Sequence, residues 1–335
     1  MEIVNQPYSN ALADWAKERP ELVVFSGDLT GSTEISRFKS LYPDRFFSLG
    51  MAEQNMMGFA GGMAREGFTP FVHTFSVFMY RRALDQIHMS IAYPNQRVRM
   101  MGFLPGILTP GGVSHQAIDD VGVLRNLPNL TIIETGDATD IETMFSVIDK
   151  IDGPVYVRML RKQVSRLFSK NEPMQFNRVR VVSEGDDITL ITAGICTEEA
   201  MRVTKLLNKK GVSIEHLHVN MHKPFSDPQV ARSIAKSKYG VITLENHTII
   251  NGLASEVAET IALNGLNAKL YRMGLKDTYS HGASQTYLMR YHELDAMALT
   301  KKIESILNER FNIQEEDLSA VRLNLKASEG QLEAL

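Results

Sequence analysis

Three short stretches of this chain combine residue types that could do chemistry. The first is Gly50-Met51-Ala52-Glu53-Gln54-Asn55, where one carboxylate sits among small and apolar neighbours (Gly50, Ala52, Met56, Gly58, Ala60). A carboxylate shut into such a segment loses solvation and is able to hold or share a proton. The plainer alternative is an acid in the first turn of a helix, where the helix dipole favours negative charge. The second stretch is Thr74-Phe75-Ser76-Val77-Phe78. Its two phenylalanines would face the same way at a helix start, as a platform for a flat ring or as core filling. The third is Thr109-Pro110-Gly111-Gly112-Val113-Ser114-His115-Gln116. Gly and Pro let backbone approach a ligand closely. A loop histidine is either structural or solvated, or it is the group best suited to proton transfer near neutral pH.

These stretches need elements to hold them. Short apolar runs at 22–25, 45–48, 69–74, 97–102, 130–133 and 155–158 read as strands, with helix-length segments at 52–66, 78–92 and 137–150 between them. Strict alternation implies right-handed βαβ crossovers and a mainly parallel sheet. It puts all three stretches at strand-to-helix junctions, with His115 at the carboxyl end of the sheet, where open α/β sheets bind ligands. Residues 166–186, charged and aperiodic around Pro173, read as a linker. Strands at 188–193, 213–218, 241–245 and 268–272, with helices at 198–210, 226–235 and 252–263, then predict a second, smaller α/β domain. The expected division is 1–165, 166–186, 187–310 and a polar tail, 311–335, that either docks on a neighbour or stays mobile.

Composition narrows the function. A chain of 335 residues with 44% hydrophobic content has enough core for about two domains. Lys+Arg 36 against Asp+Glu 39 gives a net charge of -3, which argues against a nucleic-acid binder. A single cysteine, Cys196, allows no internal disulfide and fits a reducing compartment. No apolar run reaches the ~18 residues of a membrane span, and the N-terminus does not read as a secretory signal. The expectation is a cytoplasmic protein. Walker, dinucleotide-binding GxGxxG, GxSxG and zinc-ligand spacings are all missing from the sequence. Trp15 and the 17 methionines read as packing.

Each signal is weak alone, but their order is specific. GMAEQNMMGFAGGMAREGFTPFVHTFSVF, RALDQIHMSIAYPNQRV, GGVSHQAIDDVGVLRNLPNLTIIETGDATD and GPVYVRMLR together resemble the pyrimidine-binding domain of transketolases. The region from Ile188 to about Leu307, including VITLENHTIINGLASEV, resembles the transketolase C-terminal domain. The resemblance implies thiamine diphosphate as cofactor and a sugar as substrate. Glu53 would be the cofactor-activating glutamate, bonded to N1′ of the aminopyrimidine. Phe75 and Phe78 would flank that ring, and Asp28 would lie at a cofactor-proximal subunit contact. His115 would meet the donor ketose near its reacting carbonyl, and Ser32 and Arg161 would bind its phosphate, a role suited to a guanidinium.

The family's Gly-Asp-Gly and following Asn, which hold Mg²⁺ and diphosphate, are absent; Gly27-Asp28-Leu29, Gly136-Asp137-Ala138 and Gly185-Asp186-Asp187 come nearest. The chain therefore looks like the C-terminal subunit of a two-chain transketolase, paired with an N-terminal subunit in a heterotetramer. The rivals are deoxyxylulose-phosphate synthase-like or 2-oxoacid dehydrogenase β-like chemistry, and a non-catalytic relative that uses the fold for binding. Three departures from the family bear on substrate. Asn5 or Gln6 stands where an Arg is usual, Phe103 or a neighbour replaces a His, and Gly111 replaces an Asp that reads a hydroxyl. The last change is expected to make room, and together they suggest an unusual acceptor end: branched, keto or sulfonated.

Overall fold

In the computed structural model, which describes residues 2–321, strands and helices alternate through two α/β layers. The first sheet has seven strands, in the spatial order Met221–Lys223, Thr131–Glu134, Val155–Met159, Arg99–Phe103, Thr69–Phe75, Leu22–Ser26, Phe46–Ser48. Its last six strands are all parallel. Most are buried along their whole length, as expected when helices cover both faces, and this explains their near-continuous apolar sequence.

Helix Glu53–Arg65 packs against helix Ser76–Gln86 and the wide-turned helix Ile87–Ala92 that continues it. The sequence predicts one helix over 78–92. Instead the backbone breaks at Ala83 (φ −126°, ψ 22°) before the wider turn begins. The crossing is close: a Cβ at Gly61 would lie 2.3 Å from the Ser90 carbonyl oxygen, so only glycine fits.

The second sheet orders Leu270–Leu275, Val241–Thr248, Ile188–Ala193, Ile214–Val219 and Arg180–Ser183, the last antiparallel to its neighbour. Arg180–Ser183 lies inside the stretch expected to be a linker. It is a short edge strand of mixed burial, so its pattern carries no clear period. The strand Met221–Lys223 leaves this region and pairs antiparallel with Thr131–Glu134 of the first sheet. Of the expected polar tail, Phe311, Ile313 and Leu318 are buried in the core of the second domain, and helix Glu315–Val321 rests there. Residues 322–335 lie outside the described residues.

Candidate active site

Parallel strands release the chain at a common edge. The segments after Leu22–Ser26, Phe46–Ser48, Thr69–Phe75, Arg99–Phe103 and Val155–Met159 therefore share one rim. They carry, in that order, Asp28 and Ser32, then Glu53, then Phe78, then His115, then Arg161, with Phe75 closing the central strand.

Glu53 opens helix Glu53–Arg65 and is only 2% exposed. Both of its carboxylate oxygens accept from Arg82 Nη1, at 2.9 and 3.0 Å. The Arg82 guanidinium lies 3.9 Å from the centre of the Phe78 ring. Phe78 stacks with Phe75, their centroids 5.8 Å apart and their planes 28° from parallel. His115 stands edge-on to both, 5.2 Å from Phe78 and 6.4 Å from Phe75. Arg161 lies 5.8 Å from the Phe75 ring centre, and its Nη1 donates to the Ser32 carbonyl at 3.1 Å. One run of contacts thus joins Glu53, Phe78, Phe75, His115, Arg161 and Ser32. Asp28 sits on the same rim, exposed, with a left-handed backbone (φ 64°).

Sequence reasoning passes over Arg82. Its partnership with Glu53 depends on how two helices cross, which no local pattern encodes. The available signal was its position one turn beyond Phe78. The neighbouring Arg81 was missed as well. It braces the loop of His115, donating from Nη1 to the Val113 carbonyl at 3.3 Å and from Nη2 to Asp119 Oδ1 at 3.0 Å.

Two substrate expectations need correction. Phe103 is fully buried and packs against Tyr8 and His73, so it faces the core rather than the pocket. Gly111 leaves no spare room. A Cβ there would lie 2.8 Å from His115 Cγ, because the imidazole itself fills the space. Ser114 Oγ holds that ring at Nδ1, 2.9 Å away.

Behind the loop runs a buried chain of charges that ties it to the second domain. Asp120 accepts from Tyr156 at 2.6 Å and from Arg158 Nε at 2.9 Å. Arg158 also donates to Glu134 at 2.5 Å and to the Asn246 carbonyl at 3.0 Å. His222 bridges Glu134 (2.9 Å) and Glu256 (3.0 Å). Burial alone would raise the Glu134 carboxyl, but Arg158 and His222 hold it at about 2. Burial works against a charged His222, yet Glu256 and Glu134 keep its pKa at about 10.

A buried carboxylate and stacked phenyl rings, with a flat guanidinium between them, suit a flat nitrogen heterocycle: the acid shares a proton with a ring nitrogen and a phenyl takes its face. The Thr74 hydroxyl, buried at the carboxyl end of the central strand and unpartnered among the described residues, leaves a hydrogen bond to be made there. Among the described residues no group of three or more His, Cys, Asp or Glu is placed to hold a metal ion.

The pyrimidine-binding domain family of transketolase matches residues 4–166, and the transketolase C-terminal domain family matches residues 177–297. A Methanocaldococcus jannaschii protein, named provisionally as a transketolase C-terminal section, is 36% identical over 299 residues, 88% of this chain and 93% of that one. The chain belongs to the transketolase family. Within it, the 6-deoxy-6-sulfo-D-fructose transketolase subunit SqwH of Clostridium sp. (strain MSTE9) is 33% identical over 92% of this chain and 95% of its own. A solved split-gene transketolase, described as an inactive beta4 tetramer, superposes with a TM-score of 0.82 at 32% identity, covering 90% of this chain and 97% of that one. The wider set of similar transketolase relatives includes 1-deoxy-D-xylulose-5-phosphate synthases, of which this chain spans about half the length. No described helix is long and apolar enough to cross a membrane.

Proposed function

We propose that this chain is the C-terminal subunit of a thiamine-diphosphate-dependent transketolase, moving a two-carbon ketol unit from a ketose to an aldehyde or ketone acceptor. The observation that carries this is the buried Glu53 carboxylate joined through the flat Arg82 guanidinium to the Phe78 ring, which stacks with Phe75. When bound, thiamine diphosphate supplies the thiazolium carbon that carries the transferred unit. Glu53 is the group that holds a proton at N1′ of the aminopyrimidine, and Phe75 and Phe78 fix the plane of that ring. His115, held at Nδ1 by Ser114, turns its other nitrogen to the reacting carbonyl of the sugar. Ser32 and Arg161 take the anionic end of the substrate.

The partner is a chain that supplies the diphosphate and Mg²⁺ contacts, with Asp28 at the shared boundary and two copies of each chain in a cytoplasmic heterotetramer. The substrate we infer is an anionic ketose, a sulfonated sugar included, since the similar Clostridium subunit is named for 6-deoxy-6-sulfo-D-fructose.

The test is recovery of the chain with its partner, followed by measurement of cofactor binding and ketol transfer for wild type and Glu53→Ala. The expected result is a loss of kcat of at least ~10². Undiminished turnover in the variant supports the non-catalytic reading instead. Use of pyruvate as donor, with release of carbon dioxide, supports the synthase-like reading.

A further inference from the structure

We propose that Arg82 is a built-in stand-in for the aminopyrimidine ring: it occupies the ring's seat in the lone chain and must leave before cofactor enters. The inference rests on the reading above, that Glu53 and Phe78 receive that ring. A guanidinium is flat, cationic and edged with N–H donors. An aminopyrimidine seated here would share a proton between its ring nitrogen and Glu53, presenting an N–H to the carboxylate once protonated, and would lay a flat face on Phe78. Arg82 already does both, with Nη1 bonded to the two Glu53 oxygens at 2.9 and 3.0 Å and its Cζ 3.9 Å from the Phe78 centroid. Two flat groups cannot fill the same gap between one carboxylate and one ring face, so arginine and cofactor exclude each other.

The surroundings decide which member moves. Glu53 is 2% exposed and fixed as the first residue of its helix, whereas the Arg82 side chain is 45% exposed. Arg82 also lies directly before Ala83, where its helix breaks. The arginine can therefore swing into water while the carboxylate stays. The arrangement also settles how a subunit alone tolerates a buried acid. Leaving that carboxylate unpaired would be strongly destabilising, and Arg82 pairs it until the ring takes over. The contacts to the diphosphate, which belong to the partner, then offset the lost arginine contacts.

The experiment is calorimetric titration of the full chain, without partner, using thiamine itself as the probe. It compares wild type, Arg82→Met, and Arg82→Met combined with Glu53→Gln, with a melting curve for each to confirm folding. Arg82→Gln serves as a second variant if the methionine disturbs the helix. Removing a partly exposed ion pair and ring contact should tighten thiamine binding roughly tenfold, and Glu53→Gln should cancel the gain. A variant that binds thiamine no better than wild type, while the assembled complex still takes up thiamine diphosphate, overturns this proposal and leaves the functional reading standing. Failure of the assembled complex to bind any cofactor overturns both.

Discussion

Replacing Gly111 by alanine asks whether the His115 ring owes its place to a missing side chain. The added Cβ would lie 2.8 Å from His115 Cγ, 2.9 Å from its Cβ and 3.0 Å from Nδ1. Carbon atoms do not pack that closely, and turning the ring leaves His115 Cβ where it is, so the loop must shift and carry the imidazole out of its place. That shift breaks the 2.9 Å bond to Ser114 Oγ and the edge contact with Phe78 at 5.2 Å. The first is worth about 1 kcal/mol and the second about 0.5–1.5 kcal/mol. A combined bias of ~2 kcal/mol lowers the share of molecules with His115 in place roughly 30-fold. Gly111 is exposed, so little core is disturbed and the melting temperature should move by no more than about 4 °C. The assay is kcat/KM for ketol transfer by the assembled complex, run beside thermal melts. The expected outcome is a loss of roughly 30-fold in a stable protein. Full activity in the alanine variant refutes the steric argument. A collapse of the melting temperature also refutes it, because the loop would then serve the fold rather than the ring.

Two further predictions concern stability. His222 is held protonated, with a pKa of about 10 against an ordinary 6.5. Its contribution is therefore complete below pH 6.5 and is lost as pH rises toward 10, by an amount on the order of a few kcal/mol. Denaturant titrations across that window should show wild type losing stability more steeply than His222→Gln; parallel curves for the two proteins contradict the assignment. Gly62 lies within helix Glu53–Arg65, exposed, and a Cβ there meets nothing within 4 Å among the described residues. Gly62→Ala in the lone chain should raise stability by about 0.5–1 kcal/mol, read from the denaturant midpoint, and a lowered midpoint would count against that account.

The main strands of both sheets were legible because buried parallel strands write an apolar run that little else imitates. Strand ends differ from expectation by one residue at Thr69–Phe75 and by up to three at Val241–Thr248 and Leu270–Leu275, while Ile3–Asn5, Gln163–Ser165 and Met221–Lys223 were not foreseen. Three-residue strands are too short to show a period, and their pairing is decided by distant chain. Glu53, Phe75, Phe78 and His115 could be singled out because strand-to-helix junctions of a parallel sheet fall on one edge, whereas Asp28, Ser32 and Arg161 were named only through the family resemblance. What lay across the rim could not. Arg82 meets Glu53 across 29 positions of chain, and Arg158, placed by sequence only at the end of a strand, is 1% exposed and paired with Asp120 and Glu134. The choice between Phe103 and a neighbour has the same root, and the buried Phe103 ring leaves the neighbour. The place of Phe103 at a strand end was correct, but alternation turned the side chain inward.

The strand Met221–Lys223 makes the chain a clasp. It is built from sequence that follows the second domain's Ile214–Val219, yet it closes the outer edge of the first domain's sheet at Thr131–Glu134. A protease nick near Pro173 should therefore yield two fragments that travel together under native conditions. Exchanging the second domain for that of a relative would strip a strand from the first unless residues 221–223 were matched to the recipient edge. For dissection or chimera building, these two domains are one interlocked unit with a seam that lies well downstream of the apparent linker.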